Sequence, residues 1–323
     1  MATIYDVAHV AGVSPATVSR VFNGAKVSAE KATAVREAAV TLNFTPNRAA
    51  RSLRRQSSEV IGLVIPDIEN PYFTEMARGV EDVASDAGYS VVLCNTDAQD
   101  EKEQAYLRIA IAENMSGVIL AAASDGTNLD EVLATGRPVV AVDRNTAHDI
   151  DGVMMANRDA GLAAAEHLLR AHARVAYIGG PESIETSVDR AEGWRLAHEA
   201  AGREAPADLM RYSSFRVDGG RSAMEALLAL PDPPDAVVAG NNLIGVGAIQ
   251  VLTERGLTPP KVGVAVIGGL PFTTLSPSAV TVVKLPARQM GVTAAQMLLD
   301  RIRGDRQPAR TIVLNSEVQA ARA

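Results

Sequence analysis

Cysteine is nearly missing from this chain of 323 residues: Cys94 stands alone, so no internal disulfide can form and a disulfide-stapled exported scaffold is excluded. Its setting in an apolar, strand-like run makes it a small buried hydrophobe. No stretch approaches the ~20 apolar residues that span a bilayer, and the first residues carry no signal-peptide pattern. The expectation is a cytoplasmic protein with no membrane partner. Signatures of catalysis are missing as well. There is no phosphate-binding P-loop, no Gly-x-Ser-x-Gly elbow, no cysteine pair for zinc and no His-x-x-x-His pair. The five histidines, His9, His148, His167, His172 and His198, are scattered. His167 and His172 flank a helix end, where stabilising the C-terminal dipole is a commoner use than holding a metal. Gly179-Gly180, after a strand-like run, lacks the rest of a nucleotide fingerprint. The sequence predicts no enzyme, no catalytic residue, no metal and no cofactor.

What the chain does have is a segregation of charge. The whole carries 31 Lys and Arg against 38 Asp and Glu, a net of −7. Residues 1–57 hold eight cations (Arg20, Lys26, Lys31, Arg36, Arg48, Arg51, Arg54, Arg55) against three acids (Asp6, Glu30, Glu37), a net of +5, which leaves −12 for the other 266 residues. A basic head on an acidic body fits a module that binds a polyanion.

The head also has a pattern of short capped helices. Thr3 starts a first one with Asp6 in the capping-box position; Ile4, Val7, Ala8 and Ala11 share a face, and Gly12 ends the run. Ser14 offers a second N-cap with Pro15 at the first helical position. Val18, Val21 and Phe22 point inward, so Ala16, Thr17 and Arg20 share the opposite face and are free to reach a partner. A third helix runs from a Ser28 cap to Leu42 and buries Ala32, Val35, Ala39 and Leu42. Two short helices joined by a tight glycine turn, with a third as support, is helix-turn-helix geometry, whose second helix enters the major groove. The helices alone would fit a protein-contacting bundle about as well; the charge favours DNA.

Three stretches carry a resemblance: Thr3-Ile4-Tyr5-Asp6-Val7-Ala8, then Ala11-Gly12-Val13-Ser14-Pro15-Ala16-Thr17-Val18-Ser19-Arg20-Val21, then Leu42-Asn43-Phe44-Thr45-Pro46-Asn47-Arg48-Ala49-Ala50-Arg51-Ser52-Leu53. Together they resemble the LacI/GalR family of bacterial transcription regulators, and the likeness in organisation runs through nearly the full length. It implies a homodimer on a near-palindromic double-stranded operator with a central CG step, and a separate core that binds a small effector. It puts Pro15, Ala16 and Arg20 at base-reading positions and Ser14, Thr17, Ser19, Ser28 and Asn47 at phosphate contacts, with Ile4, Lys26 and Ala50 also in the DNA-binding set. Arg20 can donate two hydrogen bonds to a guanine edge, worth ~1–3 kcal/mol of discrimination. On their own, residues 47–58 read as a short basic linker too brief to hold a helix in water. The resemblance implies a hinge helix that forms on the operator, with Leu53 as a wedge inserted through the minor groove. Residues 315–323 lack the leucine heptads that assemble a tetramer, so a dimer is expected.

From Val60 onward, short Val/Ile-rich runs (60–65, 90–93, 117–120, 138–142, 174–178, 236–239, 262–267) alternate with amphipathic stretches of helical period. Continuous apolar runs are strands covered on both faces, which predicts doubly wound parallel α/β architecture. About 265 residues is too much for one compact unit, so two lobes are expected. The predicted organisation is an all-α helix-turn-helix head at 1–46, a hinge at 47–58 and an α/β core at 59–323. The resemblance makes that core two-lobed and periplasmic-binding-protein-like, with lobe one at 59–157 and 288–310 and lobe two at 158–287 and 311–323.

Ligands of such folds sit at the carboxyl ends of strands. The loops there hold Tyr72 and Phe73, Asp143, Arg190, Phe215 and Asn241, all matching effector positions of the family; for Phe73 and, less so, Tyr72, core packing is the alternative. A bidentate Arg190 and acceptors such as Asp143 and Asn241 suit hydroxyls or a carboxylate. Family members often carry Asp-Asp where this chain reads Ile267-Gly268-Gly269-Leu270-Pro271-Phe272, and Asn-Asp at Asn241-Asn242. Losing those carboxylates removes strong acceptors for sugar hydroxyls. The expected function is an effector-controlled transcriptional regulator, a repressor, with a sugar or sugar derivative as effector. A non-sugar or anionic effector is the first alternative, and a small-molecule-binding α/β protein without an operator is the distant one.

Overall fold

The computed structural model describes residues 2–22, 26–44, 58–124, 126–270 and 279–321. The chain divides into two compact units, Met1–Ser58 and Glu59–Ala323. In the first, helix α1 (Ile4–Val10) opens with a complete capping box: the Asp6 carboxylate accepts the Thr3 N–H at 2.7 Å, and the Thr3 hydroxyl oxygen accepts the Asp6 N–H at 3.4 Å. Helix α2 (Pro15–Phe22) begins at a proline whose missing N–H costs nothing, and Ser14 Oγ accepts the Thr17 N–H at 3.2 Å. Helix α3 (Ala29–Thr41) departs from expectation. Ser28 precedes it but makes no side-chain capping bond. The inward stripe of α3 holds Val35, Ala38 and Ala39, and Ala32 is half-buried, because the packed face starts one turn later than the sequence suggested. With Val7, Ala8 and Val18 these residues form the small core of the head, against which Ile4, Val21, Phe22 and Leu42 pack.

The second unit alternates strands and helices. The first sheet takes β1 (Val60–Ile65), β2 (Ser90–Asn95), β3 (Gly117–Leu120), β4 (Val139–Val142) and β5 (Asp151–Met155), with helices α4 (Pro71–Asp86), α5 (Asp100–Ala112) and α6 (Asp130–Ala134) between them. The chain then crosses over. Helix α7 (Asn157–Leu169) leads to β6 (Val175–Gly179), α8 (Glu185–Ala200), β7 (Met210–Tyr212), α9 (Val217–Leu228), β8 (Ala236–Ala239), α10 (Asn242–Glu254), β9 (Gly263–Ile267) and β10 (Thr281–Lys284) of the second sheet. Helix α11 (Ala287–Ile302) returns to the first, and β11 (Thr311–Leu314) and β12 (Glu317–Gln319) finish the two sheets in turn. The orders are β11-β5-β4-β3-β1-β2 and β12-β10-β9-β8-β6-β7, parallel throughout except for β12.

One boundary is corrected by this topology. The sequence reading assigned 311–323 to the second lobe, whereas Thr311–Leu314 pairs in parallel with Gly152–Met155 in the first sheet, and the crossing falls at Asn315 and Ser316. Asp151 draws β11 there. Arg301 donates Nε and Nη2 to its carboxylate at 2.7 and 2.8 Å, and the Arg310 N–H donates at 3.0 Å, so the chain is pinned beside β5 just before β11 begins. Among the described residues no helix is long and apolar enough to cross a membrane.

Burial by itself would push the Asp151 carboxyl up, but the Arg301 and Arg310 hydrogen bonds and the guanidinium charge outweigh it and hold the pKa below the ordinary carboxylate value. A depressed folded-state pKa contributes stability above the unfolded value near ~3.9 and loses it as pH falls further. Asp151→Asn leaves the guanidinium of Arg301 short of its partner, and the expected cost is at the lower end of ~3–5 kcal/mol. Urea titrations at pH 7 and pH 3 check this: the variant should be destabilised at neutral pH and should approach wild-type stability at the lower pH.

Candidate functional site

The loops that follow the strands of both sheets line a single cleft with a cavity of about 190 Å³. Asn70, Tyr72 and Phe73 come after β1, Asp97 after β2, and Asp143 and Arg144 after β4; Pro181, Phe215 and Asn241 come after β6, β7 and β8 of the second sheet. All six residues singled out as effector positions, Tyr72, Phe73, Asp143, Arg190, Phe215 and Asn241, line it.

Asn70 begins α4 by accepting the Tyr72 N–H at 3.0 Å, which aims Tyr72 across the cleft floor. The Tyr72 hydroxyl donates to Asp143 Oδ1 at 2.8 Å, and its ring meets Phe73 edge-on with centroids 5.1 Å apart. Burial pushes the Tyr72 phenol well above its ordinary pKa; the negative charge of Asp143 adds to this, and the nearby guanidinium groups of Arg190 and Arg144 offset it in part. Phe73 belongs to the hydrophobic core as well as to the cleft wall. Asp143 sits at φ +66°, a left-handed conformation that a residue with a Cβ adopts at some cost and that accumulates at binding sites. Arg144, buried beside it, donates Nη1 to the carbonyls of Ala122 and Ala123 at 2.7 and 3.0 Å. Behind that loop the Glu103 carboxylate accepts the Ala123 N–H and the Thr127 hydroxyl, and burial raises its pKa.

Arg190 lies in the second turn of α8, further along than the helix opening where the sequence placed it. Its Nε donates to Asn157 Oδ1 at 2.8 Å and its Nη1 to the Gly240 carbonyl at 2.8 Å. The helix crossing underneath is backbone against backbone: a Cβ on Gly161 of α7 would stand 2.1 Å from the Arg190 carbonyl oxygen, and one on Gly193 would stand 2.0 Å from that of Arg158. Gly179 and Gly180, weighed as a fragment of a nucleotide loop, have another use. A Cβ on Gly180 would fall 2.2 Å from the Phe215 ring, so the glycine makes room for that side chain. Asn241 caps α10 by accepting the Ile244 N–H at 2.7 Å and donates to the Phe215 carbonyl at 3.1 Å.

Among the described residues, three polar bridges join the lobes around the cleft. Asn242 donates to Asn70 at 3.0 Å, Arg216 reaches Glu69 at 3.2 Å and Asp67 at 3.6 Å, and Asn145 donates to both Glu185 oxygens at 3.1 Å. Asn157, Arg144 and Arg216 were not among the sequence candidates. Arg144 and Arg216 each adjoin a residue that was, so the strand-end signal covered them; Asn157 acts only through the helix crossing, which no local pattern reveals.

In the head, Ser14, Ala16, Arg20, Lys26 and Ser28 are exposed, while Pro15, Thr17 and Ser19 are half-buried. Ser14 Oγ lies 3.0 Å from Thr17 Oγ1. Ile4 packs on the core of the head. Asn47, Ala50, Leu53 and nearly all of the hinge segment fall outside the described residues.

Residues 3–47 match the family model described as "Bacterial regulatory proteins, lacI family", and residues 58–320 match "Periplasmic binding proteins and sugar binding domain of LacI family". The chain belongs to the LacI family. A ribose operon repressor of Halalkalibacterium halodurans is 36% identical over 94% of this chain and 91% of its own length. Among solved structures, the CelR–cellobiose complex is 30% identical with a TM-score of 0.73 over 99% of both chains, and the lac repressor dimer bound to operator and the anti-inducer ONPF is 25% identical with a TM-score of 0.85 over 98% and 97%. This LacI-family protein is a DNA-binding transcriptional regulator with an effector-binding core.

The bridges across the cleft of this LacI-family core give a direct expectation. An Asn242→Ala, Arg216→Ala double variant loses two of them, each worth about 1 kcal/mol. Small-angle scattering of the ligand-free protein should register a larger radius of gyration; an unaltered profile would show that the bridges do not hold the lobes together.

Proposed function

We propose that this LacI-family regulator is a repressor that binds a near-palindromic operator as a homodimer and is controlled by a sugar or sugar derivative in the interlobe cleft. Two copies of α2 would enter successive major grooves, about one helical turn apart. Ala16 and Arg20 would read bases with Pro15, and Ser14, Thr17, Ser19, Ser28 and Lys26 would hold phosphates. By the family resemblance, Asn47 would hold a phosphate, Ala50 would belong to the same DNA-binding set, and Leu53 would wedge into a central CG step through the minor groove.

The observation that carries the reading is the shared cleft: six residues from the strand-end loops of both sheets and from the helices that follow them converge on one cavity, so a bound molecule touches both lobes and favours one degree of closure over another. By the family resemblance, the residues at 47–58 would pass that difference to the operator as a hinge helix. The names of similar proteins support the assignment: one is a ribose operon repressor, one structure holds cellobiose, and another is a dimer on its operator.

Fluorescence anisotropy with a palindromic duplex tests it. At physiological salt the operator should bind ~10³-fold or more tightly than a scrambled duplex. Arg20→Ala should lose ~1–3 kcal/mol of that preference, and Leu53→Ala should weaken the bending of the duplex. Selection from random genomic fragments that enriches no inverted repeat, under any metabolite supplement, would sink the proposal.

A further inference from the structure

The carboxylates that line the cleft are each matched by a cation of the chain. Asp67 lies 3.6 Å from Arg216, Asp97 pairs with Lys102, and Asp143 lies 3.8 Å from Arg144. Arg190 is left over. It is 5% exposed, its two hydrogen-bond acceptors are the neutral Asn157 Oδ1 and Gly240 carbonyl, and no carboxylate among the described residues stands within ion-pair distance of it. Its Nη2 donates to no described residue, and the side chain lines the cavity. A guanidinium does not relieve burial by losing its proton, so a largely buried one without a carboxylate partner, lining a cavity, favours a counter-charge from outside the chain.

The cleft amides are already engaged, Asn241 in capping α10 and in the bond to Phe215, Asn242 and Asn70 with each other, so the acceptors left for ligand hydroxyls are the carboxylates of Asp67, Asp97 and Asp143. The rest of the wall is apolar, with Tyr72, Phe73, Phe215, Ile267 and Leu285 around the cavity.

Resting on the reading of this cleft as the effector site, we propose that the effector is a small organic carboxylate, its two oxygens held by Nη1 and Nη2 of Arg190 and its carbon body lying against the aromatic and aliphatic wall. The planar fork of the guanidinium matches a carboxylate in shape. A phosphate monoester would bring nearly two negative charges to one spare cation, which favours the monoanion. Asn157 and Gly240 act as positioning groups that fix the plane of the fork.

Matched acid and neutral pairs test this on the full-length protein: D-gluconate with D-glucose, D-ribonate with D-ribose, and 4-hydroxybenzoate with 4-hydroxybenzamide, with ribose 5-phosphate as the phosphate arm. Binding is measured by isothermal titration calorimetry and by thermal shift. In at least one pair the acid should bind about tenfold or more tightly than its neutral partner. Arg190→Gln should erase that preference, and Arg190→Lys, which keeps the charge without the fork, should retain part of it. No acid binding, a neutral partner that binds as tightly as every acid tested, or a preference for ribose 5-phosphate overturns the proposal. The same titrations repeated with the operator duplex separate the two readings. A neutral ligand that changes operator affinity removes the carboxylate and keeps the effector-controlled repressor, whereas a cleft ligand that leaves operator affinity unchanged removes the control itself.

Discussion

The buried guanidinium of Arg190 joins three parts of the second lobe that the chain makes separately: the first residue of α7, the body of α8 and the end of β8. Each contact constrains the others. Asn157 can receive Nε only because α7 and α8 touch along their backbones at Gly161 and Gly193, and Nη1 can reach Gly240 only because β8 ends beside that crossing. A side chain with this many rotatable bonds would otherwise lose much rotamer entropy on ordering; here the helix contact has already fixed its base before any ligand arrives. The cleft is therefore preorganised on its second-lobe side.

The first-lobe side is built differently. Tyr72 follows β1 and Asp143 follows β4, with β3 between those strands, and the strained backbone at Asp143 is held by the hydrogen bond from Tyr72 and by the neighbouring Arg144. Arg144 in turn fixes the loop at Ala122 and Ala123, whose other side is tied to Glu103. One wall is thus set by helix packing and the other by a polar network running back from the surface of the cavity. Displacing any member of that network exposes a buried polar atom, which makes this wall the more sensitive to substitution.

Much of this was legible before the structure. Runs such as Val60–Ile65, Gly117–Leu120 and Ala236–Ala239 are apolar on both faces and announce buried parallel strands. The strand Asp151–Met155 escaped because it begins with a carboxylate and a glycine; Asp151 is tolerated inside the sheet only because Arg301, 150 residues later, supplies its counter-charge. Thr281–Lys284 and Thr311–Leu314 escaped because runs of four residues that open on a threonine carry too little periodicity. In the head, the Thr3 and Ser14 caps could be read directly, while Ser28 holds the cap position of α3 without a side-chain capping bond. The strand-end rule pointed to the loops of the cleft, and the family resemblance picked out the residues in and after them. Neither revealed the partner of Arg190, since a contact made by the crossing of two helices leaves no mark in either sequence segment.

The order in which the strands enter the sheets has a practical corollary for anyone recombining such regulators. Neither lobe is a contiguous stretch of sequence: the first needs 311–314 to flank β5, and the second needs 317–319 to flank β10. A gene chimera with one junction near residue 156 would unite a near-complete first lobe with its own last helix and edge strand taken from a stranger. Exchange of ligand specificity between relatives would be better sought by grafting whole cores at the Ser58–Glu59 boundary, or by replacing single loops at strand ends, than by cutting inside the core.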